Sequence, residues 1–205
     1  MMSHEAVKEA FKRHADRHEM RIQSDIDVFR TVEFSRPGSS IYAFKLITWP
    51  GCLCIQGDMG TYVFKRVHDM FGFFVEDADE EPRINPGYWG EKLQSIDKKS
   101  GYREFSPEVF TARVWGHFND YVEAQVLNDD ALAEVWRTIR EDVLCNAYEN
   151  GEAEAYQSIH DFELDEFLFQ DFFDGGGCED FTYHYLWCLY AIVWGIREYR
   201  RAKEG

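Results

Sequence analysis

Two groups of residues in this sequence could do chemistry or bind a partner. The first is an acidic run between positions 152 and 174, and in its later part, residues 160–174, Asp and Glu alternate with phenylalanine and leucine. The second is the turn Gly57-Asp58-Met59-Gly60, which places one carboxylate beside aromatic segments. A run of acids attracts basic surfaces or cations. A single carboxylate exposed in a cleft can act as a ligand or a general base.

The acidic run belongs to a larger block of negative charge. Residues 119–180 contain 18 Asp and Glu against 2 Arg, whereas residues 1–118 contain 18 against 16 basic residues and residues 181–205 contain 2 against 4. The block therefore holds the whole excess behind the net charge of −16. It could occupy a basic groove made for DNA or RNA phosphates, and the alternative is a solvated face that keeps the protein soluble. The candidate partner-binding residues are Glu152, Glu154, Asp161, Glu163, Asp165, Glu166, Asp171 and Asp174.

The turn at Asp58 supports a second hypothesis, a small metal- or nucleotide-dependent enzyme. The turn lacks the Lys-Ser/Thr pair and the following helix of a phosphate-binding loop, so a hairpin turn is the simpler interpretation. In the enzyme hypothesis Asp58 would lie in a cleft with side chains from other turns. Those candidate cleft residues are Arg36, Trp49, Tyr88 and Trp89.

The sequence predicts no metal site, no cofactor and no assigned catalytic residue. Cys52 and Cys54 fall on one face of a strand, but a zinc site needs two more ligands with matching spacing. His14 and His18 are four residues apart, and surface histidines are the simpler interpretation of that pair. The acidic run does not match a calcium-binding loop, which needs a central Gly and a terminal Glu. The five cysteines are typical of reduced, buried thiols in a cytoplasm.

Direct binding to nucleic acid and to membranes is not expected. The 17 Phe, 11 Tyr and 6 Trp could form a stacking platform for single strands, but such a platform needs interleaved basic residues. No apolar run reaches the roughly 18 residues of a membrane span. The charged, helix-like N-terminus does not resemble a secretory signal, so we expect a cytoplasmic protein. The sequence does not specify an oligomeric state.

The helices and strands predicted from the sequence, which must position these residues, indicate an α+β fold. Residues 3–19 have the apolar spacing of a helix. Four segments with strand composition follow at 28–35, 41–48, 52–56 and 61–64, joined by Gly- and Pro-rich turns that predict an antiparallel meander. Because the strands come early and the helices late, α+β is favoured over an alternating α/β arrangement. We expect a single domain over residues 1–205, with a sheet part at about 20–75 and a helical part at about 86–205.

The C-terminal half contains the predicted helices. Ser106-Pro107-Glu108 is a typical helix start, with an N-cap serine, a proline at the first helical position and an early acid. Residues 160–174 could be a strand or an acidic amphipathic segment, and Gly175-Gly176-Gly177 predicts a loop. The last helix, at about 180–203, is apolar nearly all round, which is typical of a helix buried between layers.

Several motifs carry a resemblance to known sequences: RPGSSxY at 36–42, TWPG at 48–51, GDMGTYVF at 57–64, INPGYW at 84–89 and YLWCLYAIVWGI at 185–196. With these motifs, most of the chain resembles a family of uncharacterised proteins from phages and prophages. The resemblance implies a phage or mobile-element origin and assigns no activity.

The acidic block and the resemblance lead to one leading hypothesis. The protein is expected to be a phage-encoded, non-enzymatic acidic protein that binds and inhibits a host defence protein, such as a CRISPR complex, by nucleic-acid mimicry. Its partner would be a host protein with a basic surface, and its location the cytoplasm of the infected bacterium. The enzyme with a site near the Gly57–Gly60 turn remains the alternative.

Overall fold

The computed structural model describes residues 3–75, 83–124, 129–164 and 167–204. It confirms the α+β class, the N-terminal helix and the helical C-terminal half. The predicted number of strands is wrong, because the antiparallel sheet has six strands in the order β1-β2-β3-β4-β5-β6. The strands are β1 (Glu19–Ile26), β2 (Phe29–Ser35), β3 (Phe44–Trp49), β4 (Cys52–Gly57), β5 (Gly60–Lys65) and β6 (Leu93–Ser95).

The two additional strands are the edge strands of the sheet. β1 is exposed along most of its length, and its apolar residues Met20, Ile22 and Ile26 alternate only loosely with polar ones. It also contains an irregularity in its pairing with β2, between Ile22 and Ser24. β6 has three residues and pairs with β5 near Phe64. Both strands are defined by pairing with a neighbour and not by their own composition.

The inner face of the sheet is covered by two helices, α1 (His4–Ala15) and α8 (Tyr183–Glu204). α8 approaches the sheet closely at Gly195, where a Cβ atom would lie 2.9 Å from Leu46 Cδ1 and 3.0 Å from Phe34 Cε2. Phe11 of α1 packs edge-on against Trp187 of α8, with ring centroids 5.1 Å apart. The predicted burial of the last helix is therefore confirmed. The short helices α2 (Met70–Phe74) and α3 (Pro86–Gly90) follow the meander.

The remaining helices form a second cluster with its own aromatic core. α4 (Pro107–Ala124) begins as predicted, because the Val109 N–H donates to Ser106 Oγ at 3.2 Å. α5 (Asp129–Ile139) runs into a π-helical segment, Arg140–Leu144, and then into α6 (Cys145–Glu149) and α7 (Glu152–Asp161). Residues 162–164 and 167–177 form turns and irregular structure with an isolated bridge between Leu164 and Phe167, and the glycine loop is confirmed.

Contacts divide the chain into two compact units. Among the described residues, the sheet unit comprises residues 3–103 and 181–204, and the helical unit comprises residues 104–180. The chain passes from one unit to the other within β7 (Arg103–Phe105) and β8 (Glu179–Phe181), which form a separate two-stranded sheet. This division differs from the predicted sheet and helical parts, because α8 belongs to the sheet unit. The single-domain organisation stays a prediction.

Long, apolar helices of the kind that cross a bilayer do not occur in the described ranges.

Candidate functional site

The net charge of the protein is concentrated in the helical unit. Residues 104–180 contain 20 Asp and Glu against 3 Arg, a net charge of −17. The rest of the chain contains 18 acidic and 19 basic residues, a net charge of +1. The acidic block that the sequence places at residues 119–180 therefore lies entirely within one compact unit.

The three arginines of the helical unit leave most of this charge unmatched. Arg137 pairs with Glu134 and Glu141, with nitrogen–oxygen distances of 3.4 and 3.9 Å. Arg113 directs its guanidinium to backbone carbonyls of the glycine loop, among them the Phe172 carbonyl at 3.2 Å. With only three cations for 20 carboxylates, the surface of this unit is strongly negative.

The structure places the predicted partner-binding residues on the exposed surface of the helical unit. Glu152, Glu154 and Asp161 are exposed on α7, and Glu163 is exposed just after it. Asp171 and Asp174 are exposed in the turn that precedes the glycine loop. Asp165 and Glu166 lie outside the described residues.

Three of these predicted acids line one cavity of about 420 Å³. α7 contributes Glu154 and Asp161. These residues are seven apart, or about two helical turns, so they lie on the same face of α7. Further lining comes from the π-helical segment and α6. The complete lining is Asp142, Asn146, Glu154, Gln157, Ser158, Asp161, Phe162 and Glu163.

Asp142 and Asn146 also line the cavity, and neither was predicted from the sequence as a site residue. Their spacing of four residues puts them on one helical face, and the Asn146 amide donates to the Asp142 carbonyl at 2.8 Å. The helix widens here, because the Cys145 N–H donates to the Arg140 carbonyl five residues back. Such π-helical turns are rare and occur often at functional sites. The spacing was readable in the sequence, whereas the widened turn was not.

Asp161 is held in its ionised form at the edge of this cavity. The Gln157 amide donates to Asp161 Oδ2 at 2.8 Å, and His160 Nδ1 lies 3.0 Å from Asp161 Oδ1. The Gln157 hydrogen bond, followed by the contact with His160, holds the pKa of Asp161 below its usual value. In the described part of the chain, no three His, Cys, Asp or Glu side chains are arranged to hold a metal ion. The carboxylates of Asp142, Glu154, Asp161 and Glu163 give the cavity a negatively charged lining.

A second cavity, of about 450 Å³, lies beside Asp58 in the sheet unit. A row of polar side chains crosses β2 to β5 on the sheet face opposite the core. Glu33 of β2 is paired with Lys45 of β3, Lys45 with Gln56 of β4, and Gln56 with Thr61 of β5. Lys45 Nζ lies 3.7 Å from Glu33 Oε1. The full lining is Glu33, Ser40, Ala43, Phe44, Lys45, Gln56, Gly57, Asp58 and Thr61.

Asp58 itself holds the backbone of a neighbouring turn. Its Oδ2 accepts a hydrogen bond from the Tyr42 N–H at 2.9 Å, and its own N–H donates to the Ala43 carbonyl at 3.0 Å. Tyr42 has a φ of 57°, in the left-handed region that non-glycine residues rarely adopt. This conformation explains why β3 begins at Phe44 and not at Ile41 as predicted. Asp58 therefore has a structural role, whatever else it does.

The structure does not bring the five candidate cleft residues together. Asp58 follows the Phe44–Gly57 pair at one end of the β3–β4 hairpin, whereas Trp49 and Cys52 pair at the other end, about 17 Å away at ~3.3 Å per residue. Trp89 is only 6% exposed and packs on Phe74 in the core. Of the five, Asp58 alone lines the cavity beside its turn.

The other two candidate cleft residues have partners of their own. Arg36 Nη2 donates to the His14 carbonyl at 3.0 Å, at the end of α1. Tyr88 is exposed, and Lys92 Nζ lies 4.6 Å from the centre of its ring. Neither residue lines the cavity at Asp58.

His14 and His18 are half-buried and do not form the surface pair that the sequence indicates. The His14 ring stacks on Tyr42 with centroids 3.7 Å apart, and its Nδ1 accepts a hydrogen bond from Trp187 Nε1–H at 3.2 Å. His18 Nε2 donates to the Tyr42 carbonyl at 2.9 Å. Burial lowers the pKa of both imidazoles, so both are neutral packing groups around Tyr42 at pH 7.

Three of the five cysteines are held as unreactive thiols, whereas Cys145 is exposed and not buried as expected. All five are free thiols, and burial raises the pKa of Cys54, Cys178 and Cys188. A raised pKa keeps a thiol protonated and unreactive at pH 7.

No protein-family model, curated protein or solved structure matches the chain. The resemblance to phage and prophage proteins therefore stays a prediction from the quoted motifs.

Proposed function

We propose that the protein is a non-enzymatic binder whose acidic helical unit occupies a basic surface of a partner protein. The partner surface is one that normally holds the phosphates of DNA or RNA, so the protein acts as a nucleic-acid mimic. Given the resemblance to phage proteins, the partner class is a bacterial defence protein that handles nucleic acid. The site is the exposed acidic surface of α7 and the cavity beside it.

One observation carries this proposal, the segregation of charge between the two units. A net charge of −17 in 77 consecutive residues, against +1 in the remainder, is far from the mixed surface of an ordinary soluble domain. Solubility alone does not require that one unit hold all of the excess. A field of one sign steers an oppositely charged partner and makes its association fast and dependent on salt.

The test begins with capture of a partner. The tagged protein is used to isolate proteins from a bacterial lysate at low salt, and the bound fraction is identified by mass spectrometry before and after a high-salt wash. The captured protein is then titrated with duplex DNA or RNA as a competitor. We expect a stoichiometric partner that high salt releases and that nucleic acid displaces.

Two matched variants then locate the binding surface. In the first, Glu154, Asp161 and Glu163 are changed to lysine, and we expect its affinity for the partner to fall on the order of 100-fold, about 2.7 kcal/mol, from like-charge repulsion. The control changes Asp16, Glu19 and Glu204 of the sheet unit to lysine, which gives the same net charge, and should bind nearly as well as the unaltered protein. Equal losses in the two variants, or failure of nucleic acid to compete, would sink the proposal.

The enzyme hypothesis has one observation in its favour, the polar cavity beside Asp58. The facing charges of Lys45 and Glu33, with the carboxylate of Asp58, suit a small polar ligand. Thermal-shift screening with divalent metals and nucleotides tests this second candidate. A rise in melting temperature that Lys45→Ala abolishes would support a ligand site there, and no shift with any compound would remove the candidate.

A further inference from the structure

The helical unit exposes aromatic side chains that are not part of its buried core. Trp115 of α4 is 45% exposed and Tyr148 of α6 is 59% exposed, whereas the buried aromatic rings of this unit include Phe110 and Phe167. Scattered single apolar residues are normal on a protein surface, but adjacent exposed aromatic rings mark interaction sites.

Each of the two exposed rings contacts a half-buried neighbour, Trp136 for Trp115 and Thr111 for Tyr148. The Trp115 ring meets the Trp136 ring of α5 edge-on, with centroids 4.6 Å apart. Tyr148 reaches α4 one turn earlier, where Thr111 Oγ1 donates to the Tyr148 hydroxyl at 3.4 Å. Because Thr111 and Trp115 are four residues apart, they share one face of α4. We call this surface the aromatic strip, formed by Thr111, Trp115, Trp136 and Tyr148.

The aromatic strip lies in a strongly negative unit. The unit carries a net charge of −17, and Arg137, which follows Trp136, is matched by Glu134 and Glu141. α6 contributes Tyr148 to the strip, whereas Asn146, two residues earlier and therefore on a different face of α6, lines the acidic cavity. A partner that covers the strip therefore binds a unit with a large overall excess of carboxylates.

This combination of rings and charge selects one kind of occupant. Aromatic faces attract cations, and tryptophan binds them best of all side chains. The arginine guanidinium is planar and weakly hydrated, so it stacks on rings and also pairs with carboxylates in a bidentate manner, which the lysine ammonium does not. Trp, Tyr and Arg are also the residues that dominate binding energy at protein interfaces.

We infer that the aromatic strip is the docking site for an arginine-rich segment of the partner protein, whose guanidinium groups stack on Trp115. The inference rests on the proposed function, since it names the partner segment that the acidic unit recognises. The negative charge brings the segment to the unit, and the aromatic strip distinguishes arginine from lysine.

The experiment compares two peptides of equal charge, nona-arginine and nona-lysine, on the full-length protein. Affinities are measured by titration, with indole fluorescence as a second readout. We expect nona-arginine to bind at least several-fold more tightly than nona-lysine and to change the emission of the unaltered protein. In Trp115→Ala the affinity for nona-arginine should fall about tenfold, to the level of nona-lysine, while the lysine peptide is little affected.

Two further variants separate docking from folding. Trp115→Phe keeps an aromatic face and should retain most of the preference for arginine. Phe173→Ala removes an aromatic ring that is 46% exposed elsewhere in the same unit, and it should leave both affinities unchanged. Circular dichroism confirms that each variant has the helical content of the unaltered protein.

The possible failures of this inference and of the proposed function differ. The docking site is overturned if the two peptides bind with equal affinity, or if the preference for arginine survives Trp115→Ala. The acidic surface is a separate question, and it is upheld if the variant with lysine at Glu154, Asp161 and Glu163 loses binding to the partner. Failure of both peptides to bind overturns both proposals. Binding of a single-stranded oligonucleotide that depends on Trp115, without peptide binding, would assign the strip to nucleic acid and overturn the inference.

Discussion

At the scale of single residues, Tyr42 is one of two non-glycine positions in the described part of the sheet unit, with Asp27, that have a positive φ. A left-handed conformation costs a residue with a side chain roughly 1–2 kcal/mol. The surrounding groups offset that cost, since Asp58 accepts from the Tyr42 N–H, His18 donates to its carbonyl, and His14 stacks on its ring. Four residues that are separate in the sequence thus define one turn.

Asp58→Ala is therefore expected to destabilise the protein even though Asp58 is exposed. Loss of the acceptor for the Tyr42 N–H should lower the free energy of unfolding by about 1 kcal/mol, the usual contribution of such a hydrogen bond. Urea denaturation measures the change. Asp58→Asn retains an oxygen acceptor and should cost less than half as much. If Asp58→Ala unfolds at the same urea concentration as the unaltered protein, the carboxylate does not hold the turn.

At the scale of elements, the glycine loop is held by a side chain of α4, a helix about 60 residues earlier in the chain. Arg113 of α4 donates to carbonyls of four residues of the loop region, Phe172 and Gly175 to Gly177. The loop contains Gly176 at a φ of 87°, which glycine adopts without strain. The sequence predicts a loop here from the three glycines, and the structure identifies the arginine that orders it.

Arg113→Lys tests this arrangement. A lysine ammonium keeps the charge but cannot present the planar fork that reaches several carbonyls at once. We expect hydrogen-exchange protection of the amides at 172–178 to fall about tenfold, whereas the amides of β3 to β5 should be unchanged. Arg137→Lys, which alters an exposed ion pair, is the control and should have no effect on the loop. Unchanged protection in Arg113→Lys would show that the glycine loop is ordered by its own contacts.

At the scale of the whole molecule, one chain combines a nearly neutral unit with a strongly acidic one. Like charges repel within a compact unit, and salt screens the repulsion because the Debye length falls from about 30 Å at ~0.01 M to about 3 Å at ~1 M. The helical unit, at −17, is subject to this repulsion, whereas the sheet unit, at +1, is not.

Sodium chloride should therefore stabilise the two units unequally. Between about 0.01 M and about 1 M salt, we expect hydrogen-exchange protection in residues 104–180 to rise several-fold, while the core strands of the sheet unit change little. Peptide-resolved hydrogen exchange measures both units in one sample. Equal changes in the two units would mean that the segregated charge has no energetic consequence in the free protein.

Much of the fold was predictable, because its signals are local. β2 to β5 alternate between Gly- and Pro-rich turns and runs of β-branched and aromatic residues, and α4 has its own N-cap serine. β1 was missed because the loose alternation of its mostly exposed residues does not distinguish a strand from a loop, and only pairing with β2 makes it a strand. The grouping of α8 with the sheet unit was missed for the same reason, since it depends on contacts between distant parts of the chain.

The candidate site likewise has some features that follow from the sequence and others that depend on packing between distant residues. The sequence by itself determined the amount of charge, the block that holds it and the exposure of the acids on α7, because charge adds along a chain and hydration keeps unpaired carboxylates at the surface. Only the tertiary structure decided that Asp142 and Asn146 line a cavity together with residues of α7, that Asp58 holds Tyr42, and that Trp115 contacts Trp136 while Tyr148 contacts Thr111. Each of these is a relation between residues from different elements, and such relations are set by packing rather than by local composition.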